Sequence, residues 1–184
     1  MDIKGARRAA PERRNQFVRV LVSVASRHGA TAEIGWRIAA ALGQTGQTVV
    51  TVAPEAIVSV DSYDAVVLGS GIYAGRWLTA AKDFVQRNQA ALSTKRVWLF
   101  SSGPVGDPPK PTDEPADVAE IREAIGAVEH RLFAGRLDRD TLGFGEKMIV
   151  AAVRAPDGDF RPWDEIDAWA AGIAKALMPE AVAV

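Results

Sequence analysis

The first strong hydrophobic signal in the chain is the run Phe17, Val18, Val20, Leu21, Val22 and Val24. A near-continuous β-branched stretch of this kind suits a strand buried on both faces, the situation found in parallel sheets. The small polar turn Ser26, Arg27, His28, Gly29, Ala30 and Thr31 follows, and apolar residues then recur at Ile34, Ile38, Ala41 and Leu42. That spacing predicts a helix stopping at Gly43 or Gly46. Strand, turn and helix make the first half of a βαβ unit.

The alternation continues without internal repeats. Residues 47–52 read as a short strand with Pro54 at its exit, and residues 65–70 as a buried strand ending in Gly69, Ser70 and Gly71. Leu78, Ala81, Val85 and Leu92 fall on one side of the next helix, and residues 96–101 form a fourth strand containing Val97, Trp98, Leu99 and Phe100. Between Gly103 and Pro115 prolines are too dense for regular structure, so a loop is expected. A helix over about 115–127 turns Val118, Ile121, Ile125 and Val128 inward, and Arg131, Leu132 and Phe133 make a short fifth strand. The last helix, over 163–177, buries Ile166, Ala170, Ile173 and Leu177; Pro162 suits its first turn, and Asp164 and Glu165 complement its dipole. Five strands alternating with helices define a doubly wound α/β sheet with right-handed crossovers.

One segment exceeds this plan. Residues 135–161 separate the fifth strand from the last helix, whereas a plain connection there needs only about 2 to 6 residues. This insert carries an apolar stretch with Phe144, Met148, Ile149, Val150 and Val153. It is expected to form a short extra helix that either fills a gap in the core, the favoured reading, or builds one wall of a site.

Composition narrows the function classes. At 184 residues, 48% hydrophobic and 24% charged, the chain suits one globular core rather than a disordered or fibrous polymer. It has no cysteine, hence no disulfide, thiolate metal site or cysteine nucleophile, and its two histidines, His28 and His130, are far apart. A net charge of -1 supplies no global field for nucleic acid or an anionic membrane. No signal-peptide pattern and no apolar run of membrane-spanning length is present, so the expected location is the cytoplasm, with peripheral membrane contact left open. Residues 1–15, with Arg7, Arg8, Arg13 and Arg14, read as a flexible extension ahead of a domain over 16–180.

Open α/β sheets bind ligands at the carboxyl ends of their strands, where strand order reverses. The turn at 26–31 offers free amides, a helix dipole and the hydroxyls of Ser26 and Thr31, a combination suited to phosphate; it is neither a Walker loop nor a dinucleotide fingerprint. Plain turn and capping chemistry is the alternative. The loop Gly69, Ser70, Gly71, Ile72, Tyr73, Ala74, Gly75, Arg76, Trp77 places two aromatics around a glycine turn, suited to a flat heterocycle. The loop Ser101, Ser102, Gly103, Pro104, Val105, Gly106, Asp107 adds exposed amides with little bulk. Together they fit a cofactor with a phosphate at one end and a planar ring at the other.

Residues 22–38 resemble the flavodoxin signature, in which a strand leads to a Ser/Thr-x-x-Gly-x-Thr phosphate loop matched by Ser26, Gly29 and Thr31. The chain more closely resembles flavodoxin-type, menaquinone-dependent protoporphyrinogen oxidases and their relatives. The resemblance rests on residues 26–34, on Gly71-Ile72-Tyr73-Ala74-Gly75, on Phe133-Ala134-Gly135 and on Trp163-Asp164-Glu165-Ile166. It implies a flavodoxin-like five-stranded parallel sheet of order 2-1-3-4-5 and an FMN cofactor. The phosphate would lie on Ser26, Arg27, His28, Gly29, Ala30 and Thr31. The ring would lie between Gly71, Ile72, Tyr73, Ala74, Gly75 and Trp77 on one side and Ser102, Gly103, Pro104, Val105 and Gly106 on the other, with Tyr73 and Trp77 stacking.

Two positions depart from the flavodoxin pattern: Val24 stands where an aromatic is usual, and Gly35 replaces an alanine within the first helix, at a cost of about 1 kcal/mol. His28 reads as a loop or phosphate-contacting residue ahead of a proton donor, and His130 as a packing or surface residue. Arg76 is either a contact for an anionic quinol or propionate or a solvated side chain. Three functions follow as expectations: an FMN-dependent oxidoreductase of the protoporphyrinogen-dehydrogenating kind with a small-molecule or quinone partner, a flavodoxin-like electron shuttle, or a flavin-free binding module. The near-zero charge weighs against a shuttle with an acidic docking face.

Overall fold

The computed structural model describes residues 18–103, 105, 113–152 and 154–178. The Arg-rich extension with Arg7, Arg8, Arg13 and Arg14, the strand residue Phe17, the loop residues Pro104, Gly106 and Asp107, and Val153 lie outside the described residues.

Five parallel strands carry the fold: β1 (Arg19–Ala25), β2 (Thr48–Thr51), β3 (Ala65–Tyr73), β5 (Arg96–Ser102) and β6 (Glu129–Phe133). A two-residue strand, β4 (Arg76–Trp77), folds back antiparallel on the end of β3. The sheet order is β2-β1-β3-β5-β6, which is the expected 2-1-3-4-5 once the short β4 is set aside. The continuous hydrophobic runs arise because alternate side chains enter two different cores. Val66, Leu68, Val97 and Leu99 pack beneath α2 (Thr79–Leu92) and α3 (Val118–Ile125). Ala65, Val67, Trp98 and Phe100 pack on the other face with residues of α1 (Ala30–Gln44) and α5 (Trp163–Leu177).

Helix ends follow local chemistry. Helix α1 runs through Gly43 and stops only where Gly46 adopts φ 88°, while α3 ends at Gly126 with φ 61°, each a left-handed position that suits glycine. Val118, Ile121 and Ile125 face inward as expected, but Val128 is 57% exposed. The reason is that α3 has already ended, and Val128 enters β6 by donating its N–H to the Val97 carbonyl.

The segment 135–161 is not core filling. It leaves β6 as β7 (Arg136–Leu137), forms α4 (Phe144–Ala152) and returns as β8 (Gly158–Asp159), which pairs antiparallel with β7. Phe144 and Met148 on α4 are 84% and 60% exposed, whereas Glu146 and Val150 face a cavity at the carboxyl edge of the sheet. The wall-building alternative is the one the structure supports, because the sheet faces are already covered by α1, α2, α3 and α5.

Candidate functional site

The carboxyl ends of β1, β3 and β5 open into a cavity of about 450 Å³, within the range of small-molecule and cofactor sites. From the first turn it collects Ser26, Arg27, His28, Ala30 and Thr31; from the β3 end Gly71, Ile72, Tyr73 and Ala74; and from the β5 end Ser102, Gly103 and Val105. Three distant stretches of sequence therefore meet as expected.

Backbone geometry explains the meeting. Gly29 takes φ 84° as the residue before α1 and has no side-chain cap bond, so the first amides of α1 face the cavity edge without a competing cap. Thr31 is 7% exposed, and a Cβ on Gly71 would come within 3.3 Å of its Oγ1. A Cβ on Gly103 would meet Ile72 Cβ at 2.9 Å, and one on Gly135 would meet the Gly103 backbone at 3.4 Å. Glycine at 71, 103 and 135 thus lets three loops converge on one cradle. An amide-rich, hydroxyl-bearing turn beside a flat apolar slot fits the phosphate and ring ends of FMN in donor chemistry and shape.

The stretch 71–77 is not a loose loop. Ala74 and Gly75, with φ 48° and 72°, form a two-residue turn of the kind that joins tight hairpins, pairing Tyr73 with Arg76 and Ile72 with Trp77. This corrects the expectation for Trp77. Instead of stacking at the mouth it is 2% exposed, with its indole N–H donated to Ser101 Oγ at 2.7 Å and its backbone N–H to the Asp117 carboxylate. Gly75 serves the turn and accepts from Ala116 N–H; neither Gly75 nor Gly29 lines the cavity. Arg76 is exposed on the hairpin and also lies off the cavity wall.

Tyr73 does face the site. Arg27 lies over its ring at 5.2 Å and His28 at 6.3 Å between centroids. Burial, reinforced by the Glu146 carboxylate, raises the Tyr73 phenol above its ordinary range although Arg27 opposes the shift, so the ring is a neutral, polarisable surface. Opposite it, sequence reasoning missed the insert's contribution: Arg136, Leu137, Asp138, Thr141, Leu142, Glu146, Val150 and Ala155. Glu146 bridges the cavity, accepting from His28 Nε2 at 3.1 Å and pairing with Arg27 Nε at 3.2 Å. The Gly143 N–H, then the His28 hydrogen bond, hold its carboxyl below the usual carboxylate range. The excess length of the insert after the last strand was the available signal for this wall.

Among the described residues no cluster of His, Asp and Glu suited to a metal is present, and no helix is long and apolar enough to cross a membrane. The fold and this edge define a flavodoxin-type α/β domain. Residues 21–162 match the family model described as a flavodoxin domain, and the chain belongs to that family. Its structure is similar to a flavodoxin from the domain Archaea, with TM-score 0.60 and 15% identity over 86% of this chain and 97% of that one. Flavodoxin 2 from Bacillus cereus gives 0.59 and 20% over 86% and 99%. Rubredoxin oxygen:oxidoreductase from Desulfovibrio gigas gives 0.55 and 16% over 88% of this chain but 37% of the larger one. No curated protein matches the sequence. Family membership implies FMN as the cofactor and a redox role of the flavin-binding, electron-transfer type.

Proposed function

We propose that this chain is an FMN-dependent oxidoreductase that takes electrons from an organic substrate and delivers them to a quinone-type acceptor, in the manner of the flavodoxin-type protoporphyrinogen oxidases it resembles. The observation that carries this reading is the wall built by residues 135–161. A carrier that hands electrons to protein partners needs an accessible cofactor edge, whereas here α4 reaches across the cavity through Glu146 to Arg27 and His28. The wall lines the slot with Leu137, Leu142 and Val150, side chains suited to a planar apolar reactant.

In this reading Ser26, Thr31 and the amides of 27–30 hold the phosphate, and Tyr73 offers its neutral face to the ring. Glu146 and the insert exclude water from the reactants. FMN, when bound, supplies the reversible electron chemistry; the protein orients it and sets its surroundings. Replacing Thr31 with Val removes a hydroxyl donor at the phosphate and weakens FMN binding by about tenfold, the worth of a hydrogen bond to a charged group. Calorimetric titration of the apoprotein measures this; equal affinity in the two proteins sinks the placement of the phosphate.

The electron-shuttle reading has the structural likeness to flavodoxins in its favour. Anaerobic reduction followed by mixing with menaquinone analogues, with and without protoporphyrinogen, separates the two. Fast reoxidation by quinone and turnover of the donor support the oxidoreductase. Reoxidation by one-electron protein carriers but not by quinones supports the shuttle and overturns the proposal.

A further inference from the structure

A chain of polar contacts runs behind the cavity on the α2/α3 face of the sheet. Trp77 Nε1 donates to Ser101 Oγ at 2.7 Å, Ser101 Oγ lies 2.8 Å from His130 Nε2, and His130 Nδ1 lies 2.9 Å from Glu114 Oε1. The Ser-His-carboxylate order is that of a nucleophilic triad, but Ser101 has no exposure and its hydroxyl is already capped by the indole, so no substrate reaches it. The contacts have a single consistent direction. The Glu114 carboxylate only accepts, so His130 Nδ1 carries the hydrogen between them. With His130 neutral its bare Nε2 accepts from the Ser101 hydroxyl, whose oxygen in turn accepts from the Trp77 indole N–H.

What the chain joins gives it meaning. Trp77 anchors the β3–β4 hairpin, whose other strand presents Ile72 and Tyr73 to the cavity. Glu114 lies just ahead of α3. Next to Glu114, Ala116 N–H donates to Gly75 O at 3.2 Å, and Asp117 holds the Trp77 N–H while pairing with Lys82 at 3.4 Å.

We propose that His130 is a positioning residue for the flavin site: through Ser101 and Trp77 on one side and Glu114 on the other, it locks the ring-side hairpin to the residues that lead into α3. The inference rests on the reading of this cavity as the FMN site. His130 does not line the cavity, so its effect is transmitted through the hairpin that presents Ile72 and Tyr73.

The lock responds to pH. His130 has a side chain only 5% exposed. Burial lowers its proton affinity and Arg122 lowers it further, while Glu114 and Glu129 raise it, with a net decrease below the ordinary value of 6.5. Protonation puts a hydrogen on Nε2, which then donates to Ser101 Oγ, so the buried Ser101 hydroxyl proton loses its acceptor. That unsatisfied donor disfavours the locked arrangement at acid pH.

The test reads the lock with and without cofactor. In the apoprotein, the Trp77 indole N–H resonance, assigned by its loss in Trp77→Phe, shifts with pH with a midpoint below 6.5; it is pH-independent in His130→Phe and altered in Glu114→Gln. In FMN titrations both variants bind about tenfold more weakly near neutral pH, the cost of one hydrogen bond to a charged group; His130→Phe loses the acid-side fall in affinity expected of the wild type, and Glu114→Gln moves it to lower pH. Glu114 is partly exposed, so Glu114→Gln carries the test if His130→Phe fails to fold. An indole signal that does not titrate, or variants with wild-type affinity and pH profile while Thr31→Val is weakened, overturns the proposal. A wild-type chain that takes up no FMN overturns the flavin reading instead, a result kept distinct by the cofactor-free indole measurement.

Discussion

Gly35 occupies a position inside α1 where alanine would favour the helix by about 1 kcal/mol. A Cβ there would fall well inside contact distance of Val24 Cγ2 and reach Val22 Cγ1 at 3.7 Å. The two departures from the flavodoxin pattern are thus one feature: a branched residue at the end of β1 fills the space that a missing methyl leaves in the helix. Gly35→Ala is expected to destabilise the protein by about 1 kcal/mol net, overpacking of about 2 kcal/mol outweighing the propensity gain. Adding Val24→Ala should recover most of it. Urea unfolding of the two variants measures this, and a more stable Gly35→Ala single variant contradicts the account. At this scale the sequence showed which turns meet, because Ser, Gly and Thr announce themselves. It did not separate Tyr73 from Trp77, since a glycine-rich stretch reads the same whether it is a loop or a tight hairpin. Nor did it reveal Ser101 and His130 as partners: Ser101 stands opposite Leu132 and Leu99 opposite His130, a register that only strand pairing settles.

Among the elements, the insert is the one whose existence was legible but whose placement was not. Its surplus length was plain, yet apolar content alone does not say whether a helix faces a core or a pocket. Both of its legs are fastened to Glu33 in the first turn of α1: Arg136 pairs with it at 3.2 Å from the outgoing strand and Arg161 at 2.7 Å from the return. Arg161 is also bound by Asp159 and the Ala30 carbonyl and lies over Trp163. With a side chain 3% exposed, it relies on these partners. Glu33→Ala should therefore cost about 1 to 3 kcal/mol and, more tellingly, speed amide hydrogen exchange across 136–161 while β1, β3 and β5 keep their protection. Unchanged exchange in the insert contradicts the clamp.

For the molecule as a whole, the charged partners predict a two-stage acid response. His130 is depressed by burial, so its contribution is complete above the unfolded histidine value of about 6.5 and is lost as pH falls through the lower folded value. Asp159, held down first by its hydrogen bond from Arg161, and Asp167, held down by that from Arg37, keep their contributions above the ordinary aspartate value of 3.8 and lose them below it. The Arg37–Asp167 pair is exposed at 2.7 Å and counts for little. The melting temperature should thus decline gently as pH falls from 6.5 and more steeply below about 4, with His130→Phe removing the first decline. A stability profile flat between pH 7 and 5 contradicts this. The layered sheet was readable from periodicity, because burying strands on both faces leaves a continuous apolar signature, whereas the strand order came from the resemblance to flavodoxins, since hydrophobic patterning does not say which strands are neighbours.

The pairing of β7 with β8 sets Leu137 directly opposite Gly158, so the chain departs for its excursion and comes back through a doorway about 5 Å wide. Replacing residues 138–157 with an Asn-Gly turn would close that doorway with little loop-closure entropy at stake. The wall of the cavity is in this sense a cassette, gained or lost without rebuilding the sheet beneath it. Pocket depth and the sheet beneath it are then separable: the same five strands can carry an open edge or an enclosed slot according to what is spliced into a single connection.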